Sequence, residues 1–258
     1  MTTTAVHVHR DPDVLAAALA ARLVSRLVDA QAARGDAGLV LTGGGTGTAV
    51  LAALAASPAR DAIDWTRLDV WWGDERFLPS GHPERNETQA RHALLDSVDI
   101  PAERIHAFPA SDGPDGNDPE AAAERYAHEL RGAAHSGLAL PHFDVLMLGV
   151  GPDGHVASIF PESPATYEEE RPVVAVHGSP KPPPIRLTLT FPVINSADEI
   201  WLAATGAEKA GAVGLALAGA GPVQIPAAGV HGGHLTLWSL DRAAAANVPP
   251  ALRDQRWH

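Results

Sequence analysis

His155 follows a Pro-Asp-Gly turn in the stretch Met147-Leu-Gly-Val-Gly-Pro-Asp-Gly-His-Val-Ala-Ser-Ile-Phe-Pro161. Neutral imidazole is the usual general base near pH 7, and Asp153, two residues upstream, could orient it or share its proton. The glycines of the same stretch, Gly149, Gly151 and Gly154, also fit the G-x-G-x-x-G spacing of a dinucleotide site. That fingerprint requires its glycines to open a long crossover helix. Pro161 stops any helix that begins near His155 after barely more than one turn. Glu168 to Glu170, the acidic residues at about the right distance, come before the next strand instead of at its end. The stretch therefore reads as a turn that presents His155, and a redox role is rejected.

Three other loops hold groups that chemistry can use. Thr42-Gly-Gly-Gly-Thr-Gly-Thr48 follows the apolar run Leu39-Val-Leu41. Glycines let the backbone approach a ligand closely, and a helix starting there offers unpaired N–H groups to an anion. No lysine follows, so this is not a Walker loop, and Thr48 stands where a third dinucleotide glycine would be. The loop is either an ordinary tight strand-to-helix turn or an anion site, and the flanking Thr46 and Thr48 favour a phosphate or other oxyanion. Trp71-Trp-Gly-Asp-Glu-Arg-Phe-Leu-Pro79 brings Asp74, Glu75 and Arg76 to the end of an apolar run. By composition it is either a solvated loop with a local Glu–Arg pair or a functional segment. His177-Gly-Ser-Pro-Lys-Pro-Pro-Pro-Ile-Arg-Leu-Thr188 presents Lys181 and Arg186 on a stiff proline run, which lowers the ordering cost. Lys209 opens a helix against the helix dipole, a placement that hints at a purpose.

Metal chemistry finds little support. His7-Val-His9 and His231-Gly-Gly-His234 lack a sequence-local carboxylate that would complete a site, and the chain has no cysteine. His82-Pro-Glu84 lacks the P-C-x-x-C partner of zinc deaminases. No G-x-S-x-G elbow is present. For a hydrolase, water is the expected nucleophile, with no cofactor and no metal.

The elements that must position these loops alternate. A helix is expected from Pro12 after Asp11 to about Arg34, with Leu15, Leu19, Leu23 and Leu27 on one stripe. Strands are expected at Leu39–Thr42, Leu68–Trp72, Ile105–Phe108, Phe143–Leu148, Arg171–Val176, Ile185–Thr190, Glu199–Ala204 and Leu235–Trp238. Helices are expected at about Thr46–Ala56, Asn86–Leu95, Pro119–Arg131 and Glu208–Leu217, and an alanine-rich one from Arg242. This order implies an α/β fold with a mostly parallel sheet, helices on both faces and some antiparallel strands in the C-terminal third. One domain over residues 1–258 is expected, and ligands bind beyond the carboxyl ends of such strands.

The net charge of −12, from 19 basic and 31 acidic residues, argues against nucleic acid and anionic membrane as partners. It leaves room for a small anion held by a few converging cations. No apolar run approaches the ~20 residues of a membrane span, and no basic, then apolar, leader opens the chain. A soluble, cytoplasmic protein, monomeric or a weak homo-oligomer, is the expectation.

Taken together the loops resemble those of the 6-phosphogluconolactonase family. "LGVGPDGHVASIFP" is similar to the signature around its catalytic histidine, and "LTGGGTG" to its Ser-Gly-Gly-x-Thr-Pro phosphate loop. "GDERFLP" with Asn86 resembles its Asp-Glu-Arg segment, and "SPKPPPIRLT" its proline-rich segment. Three departures stand out: Thr42 for Ser, Gly47 for Pro, and Arg85 where a Ser commonly precedes the Asn. The resemblance implies the parallel α/β sandwich shared with sugar-phosphate isomerases and deaminases. It also implies hydrolysis of 6-phospho-D-glucono-1,5-lactone to 6-phosphogluconate in the oxidative pentose phosphate pathway, without metal. His155 is then the base on water, Arg76 or Lys181 stabilises the oxyanion, and Asp74 is a site residue without a settled role. Gly44, Gly45, Thr46, Arg186 and Lys209 hold the phosphate. Two rivals are a glucosamine-6-phosphate deaminase, whose G-H-I-A-F-N-E carboxylate is missing after His155, and a non-catalytic sugar-phosphate sensor.

Overall fold

The computed structural model describes residues 2–134 and 137–253. Five strands with apolar sequences and one amphipathic edge strand form a six-stranded, all-parallel sheet. In chain order its members are β1 (Thr3–His9), β2 (Ala37–Leu41), β3 (Leu68–Trp72), β5 (Val145–Gly149), β8 (Glu199–Ala204) and β9 (Leu235–Asp241), with spatial order β1-β9-β8-β5-β2-β3. β2 and β5 are apolar throughout because both faces are covered. A second sheet of three antiparallel strands runs in the order β4 (Asp74–Arg76), β7 (Arg186–Leu189), β6 (Val173–Val176). Gly73 joins the two sheets: its N–H donates to the Leu41 carbonyl at 3.0 Å, and its carbonyl accepts from the Leu189 N–H at 2.9 Å.

Among the described residues seven helices accompany the sheets: α1 (Pro12–Arg34), α2 (Gly44–Ala56), α3 (Asn86–Ala93), α4 (Pro119–Gly132), α5 (Phe191–Ile194), α6 (Ala210–Leu217) and α7 (Pro250–Arg253). α1 begins as its sequence dictates. Asp11 caps it by accepting from the Val14 N–H at 2.9 Å, Pro12 opens it, and Gly35 ends it with a left-handed backbone. Its Leu15, Leu19, Leu23 and Leu27 are buried. No helix among the described residues is long and apolar enough to cross a membrane.

Four differences from the sequence expectations have physical causes. No strand is expected before Asp11, yet β1 pairs with β9 along its whole length. Its Thr and His side chains dilute the apolar signal because only one face of an edge strand is deeply covered. Asp74–Arg76 is a strand, not a solvated loop, because its backbone pairs with β7; charged residues with little strand preference are overridden by that pairing. The antiparallel pairing expected in the C-terminal third is that of β6 with β7, while β8 and β9 are parallel. Ile105–Phe108 is no strand: only Ile105 bridges to Val70. The carbonyls of His106 and Phe108 instead accept from the Tyr126 hydroxyl and the Arg85 guanidinium. Finally, the helix expected from Arg242 breaks into a turn of 3-10 helix at Ala244–Asn247 and the short α7, since Pro249 and Pro250 interrupt it. Any continuation of it past residue 253 lies outside the described residues.

Because the large sheet is parallel, the carboxyl ends of β2, β3, β5 and β8 open on one side, and the small sheet flanks them through Gly73. Leu148, wholly buried in β5 beside the central loops, carries part of that alignment. Leu148→Ala is expected to lower the unfolding free energy by about 2–5 kcal/mol in urea titrations, with an unchanged slope.

Candidate active site

A cavity of about 210 Å³ opens at those strand ends. Its wall brings together the three phosphate-loop candidates Gly44, Gly45 and Thr46, the cations Arg76, Lys181, Arg186 and Lys209, and Asp74 and His155. All nine sequence-selected residues thus face one space, although they come from segments spread over most of the chain. Asn86 lines it as well.

The turn after β5 builds the centre. Gly151 donates its N–H to the His155 carbonyl at 2.9 Å, and Gly154 donates to the Gly151 carbonyl at 3.0 Å, with Gly154 in the left-handed region. This folds the chain back so that Asp153 and His155 lie over Gly151. A Cβ on Gly151 would overlap both the imidazole and the carboxylate. The glycine that resembled a dinucleotide signature is therefore the floor under a His–Asp pair. The Asp153 Oδ1 to His155 Nδ1 distance is 2.5 Å, and the His155 backbone N–H adds a weaker contact to the same oxygen at 3.3 Å. Nδ1–H donating to the carboxylate leaves Nε2 with its lone pair for chemistry. The ring also rests on Phe160, with centroids 4.6 Å apart.

Burial pushes the Asp153 carboxyl up, but the His155 hydrogen bond and charge outweigh it and hold it down at about 2. Asp153 is ionised throughout the neutral range. Its share of stability is in place above the ordinary carboxyl value and is lost as pH falls through about 2.

The N-terminus of α2 is suited to an anion. Gly43 precedes it with no side-chain cap, and its first turn holds no acidic residue, so the amides of Gly44, Gly45 and Thr46 carry the positive end of the dipole. Thr46 Oγ1 lies 3.1 Å from Thr205 Oγ1. The Thr42 hydroxyl, standing where the family commonly has Ser, accepts from the Gly149 N–H at 3.2 Å and ties this loop to the His155 turn.

Two of the cations, Arg186 and Lys209, are held by backbone carbonyls. Arg186, buried on β7, donates to the carbonyls of Pro182, Lys181 and Pro183 at 3.1, 3.3 and 3.4 Å, and stands 3.9 Å from Asp74. The proline run therefore works as a collar of carbonyls around one guanidinium. Burial lowers the Arg186 pKa; the charge of Asp74 opposes this and that of Arg76 adds to it. Arg76 and Arg186 are register partners across β4 and β7, a like-charge pairing that costs stability in the absence of an anion. Lys209 donates from Nζ to the Val150 carbonyl at 2.8 Å. Burial lowers its pKa, with the Glu208 charge opposing and the Lys181 charge adding. Four cations meeting in one cleft of a chain with net charge −12 mark an anion site.

Asp74 has neither oxygen free. Ser158 Oγ donates to Oδ2 at 2.6 Å and Asn86 Nδ2 to Oδ1 at 3.3 Å. Two cavity residues retain unpaired buried atoms, Arg76 Nε and Asn86 Oδ1. Such atoms are ordinarily satisfied, so they point to a site that a ligand completes.

Sequence reasoning missed the supports. Glu75, expected at most to pair locally with Arg76, is wholly buried and accepts N–H groups from Arg76 and Asn86 at 2.8 and 2.6 Å, and from Glu87 at 2.9 Å. Ser158 is equally silent in one dimension, and Arg85 stands out there only by its place before Asn86. His142, Asp144 and Asp198 cluster at the opposite, amino end of the sheet, where Arg26 and Arg34 neutralise the carboxylates. His7, His9, His231 and His234 are not part of that cluster.

A family model described as glucosamine-6-phosphate isomerases/6-phosphogluconolactonase matches residues 10–238. The chain is 62% identical over 247 residues to a 6-phosphogluconolactonase of Streptomyces coelicolor, covering 95% of each. It is 49% identical to one of Mycobacterium tuberculosis, covering 96% of this chain and 99% of the relative. Among solved structures, 6-phosphogluconolactonase from Trypanosoma brucei superposes with a TM-score of 0.81 at 29% identity, covering 96% of this chain and 100% of that one. A monomeric glucosamine-6-phosphate deaminase shares the fold, with a TM-score of 0.77 at 22% identity, covering 94% of this chain and 99% of that one. With a family match over most of its length, and the loops of that match closing on one cationic cavity, the chain belongs to the glucosamine-6-phosphate isomerase/6-phosphogluconolactonase family.

Proposed function

We propose that the chain hydrolyses 6-phospho-D-glucono-1,5-lactone to 6-phospho-D-gluconate, the lactone-opening step of the oxidative pentose phosphate pathway. The observation that carries this is His155, hydrogen-bonded to Asp153 behind it, standing in the wall of a cavity that also offers an uncapped helix N-terminus and four cations. The high identity to relatives named for this activity supports it.

The phosphate sits on the amides of Gly44, Gly45 and Thr46, with Arg186 and Lys209 supplying charge. That anchor leaves the lactone carbonyl facing His155. Nε2 takes a proton from water as the water oxygen bonds to C1, and the carbonyl electrons move to the exocyclic oxygen. Arg76, with Lys181, stabilises that oxyanion. Asp153 holds Nδ1–H throughout and stabilises the imidazolium, as an ionised carboxylate must to do so. The adduct then collapses, the bond from C1 to the ring oxygen breaks, and the proton passes from His155 to that oxygen. Asp74, with both oxygens engaged, orients Asn86 and Arg186 instead of moving protons.

The same fact weighs against a deaminase. Ring opening of an amino sugar calls for a free carboxylate, and Asp74 is the one carboxylate among the described residues lining the cavity. Ala157 occupies the wall after His155. A cytoplasmic setting, with the phosphosugar lactone as partner molecule and no metal or cofactor, belongs to the same proposal.

Freshly prepared 6-phosphogluconolactone, followed against its spontaneous hydrolysis with EDTA present, should be consumed faster with the protein, while glucosamine 6-phosphate is left unchanged. No acceleration of the first, or turnover of the second, contradicts the proposal. Gly151→Ala should lower kcat about 10²-fold by displacing the imidazole, with a far-ultraviolet circular dichroism spectrum like that of the parent.

A further inference from the structure

Just outside the cavity wall, Glu75 and Arg85 are both almost wholly buried and neither lines the cavity. Yet the backbone of two cavity residues hangs on them. Glu75 Oε1 accepts from the N–H of Arg76 on β4 and from the N–H of Asn86 at the start of α3, 11 positions further along the chain. Oε2 accepts from the next amide of α3, that of Glu87. One carboxylate therefore fixes the distance between the Arg76 strand and the helix that carries Asn86. It also sits at the positive end of α3, where an anion is favoured.

Arg85 locks this carboxylate in place. Its Nη2 lies 3.8 Å from Glu75 Oε2, and it donates to the Phe108 carbonyl at 2.7 Å and to Glu87 Oε2 at 3.2 Å. Nη1 donates to the Leu78 carbonyl at 3.2 Å and the Pro109 carbonyl at 3.4 Å. A hydroxyl, as in the serine common at this position, cannot reach so many partners or supply a charge. Arg76 Nη1 then donates to the carbonyl of Glu84, the residue before Arg85, at 2.5 Å. The segment between Arg76 and Asn86 is thus closed at both ends, and the Arg76 guanidinium takes its place from that closure.

Burial pushes Glu75 up to about 7, against the Arg85 charge and three N–H donors that favour the ionised form. Loss of Arg85 removes the nearest counter-charge. A protonated carboxyl would turn one acceptor oxygen into a donor facing an N–H.

We infer that Glu75 and Arg85 are positioning residues for lactone opening, acting through Arg76, whose guanidinium they hold against the cavity by fixing the Arg76–Asn86 segment. The inference rests on the proposed role of Arg76 in the reaction. Arg85→Met should lower kcat about 10–100-fold while changing KM less than about threefold, since the phosphate anchor lies on α2, β7 and the turn before α6. The deciding measurement is a double-mutant cycle with Arg76→Met. If Arg85 acts through Arg76, the kcat loss caused by Arg85→Met is smaller by at least about threefold in the Arg76→Met background. A loss reduced by less than that overturns the inference, because a general effect on folding costs the same in both backgrounds. Full activity of Arg76→Met alone would instead remove the role assigned to Arg76. Should Arg85→Met yield no folded protein, the same cycle with Glu75→Gln, which keeps the side-chain volume, applies the same criterion.

Discussion

The hydrogen bond between Asp153 and His155, 2.5 Å long and resting on a residue without a side chain, is the contact on which the rest of the site depends. It selects which ring nitrogen keeps its lone pair, on an imidazole that lines the cavity. It is possible only because the chain turns back on itself at Gly151–Gly154 directly after β5. β5 in turn lies between β2 and β8, so the turn meets the N-terminus of α2 on one side and Lys209 on the other. The stiffness of a central, doubly covered strand is passed directly to the imidazole.

Around that pair the dominant problem is charge. Four cations facing one cavity repel each other, and two of them are register partners on adjacent strands. The protein offsets this with neutral dipoles more than with carboxylates. Arg186 is held by three carbonyls of the proline segment and Lys209 by one. Carbonyl dipoles fix position without cancelling the net positive charge, which remains available to an anionic ligand. Asp74 supplies limited compensation and is itself tied to Ser158 and Asn86. The cavity stays cationic inside a chain that is acidic as a whole.

Much of this was legible in the sequence, for identifiable reasons. Asp11, Pro12 and Gly35 are local signals for the ends of α1, and the apolar runs of β2, β3 and β5 are what doubly covered parallel strands require. The nine candidate residues stand in or beside the segments that meet the strand ends, in stretches where glycines, prolines and charges gather without the periodicity of a core. What stayed hidden depends on partners distant in sequence. β4 is three charged residues made into a strand by β7, and β1 is an edge strand carried by β9. Glu75 looks like half of a local ion pair, but its cation is Arg85 and its other partners are backbone amides of α3. Buried charges of this kind carry no periodicity, so composition assigns them to solvent. Arg85 was visible only as a departure from a family pattern, without a cause until the carbonyls it gathers were seen.

The central claim, that His155 oriented by Asp153 removes the proton from water, is tested most directly by the turnover of His155→Ala on freshly made 6-phosphogluconolactone, corrected for spontaneous hydrolysis. The account predicts a kcat about 10²–10⁴-fold below that of the parent, with KM little changed because the phosphate anchor is intact. A variant that keeps near-parental turnover would contradict it.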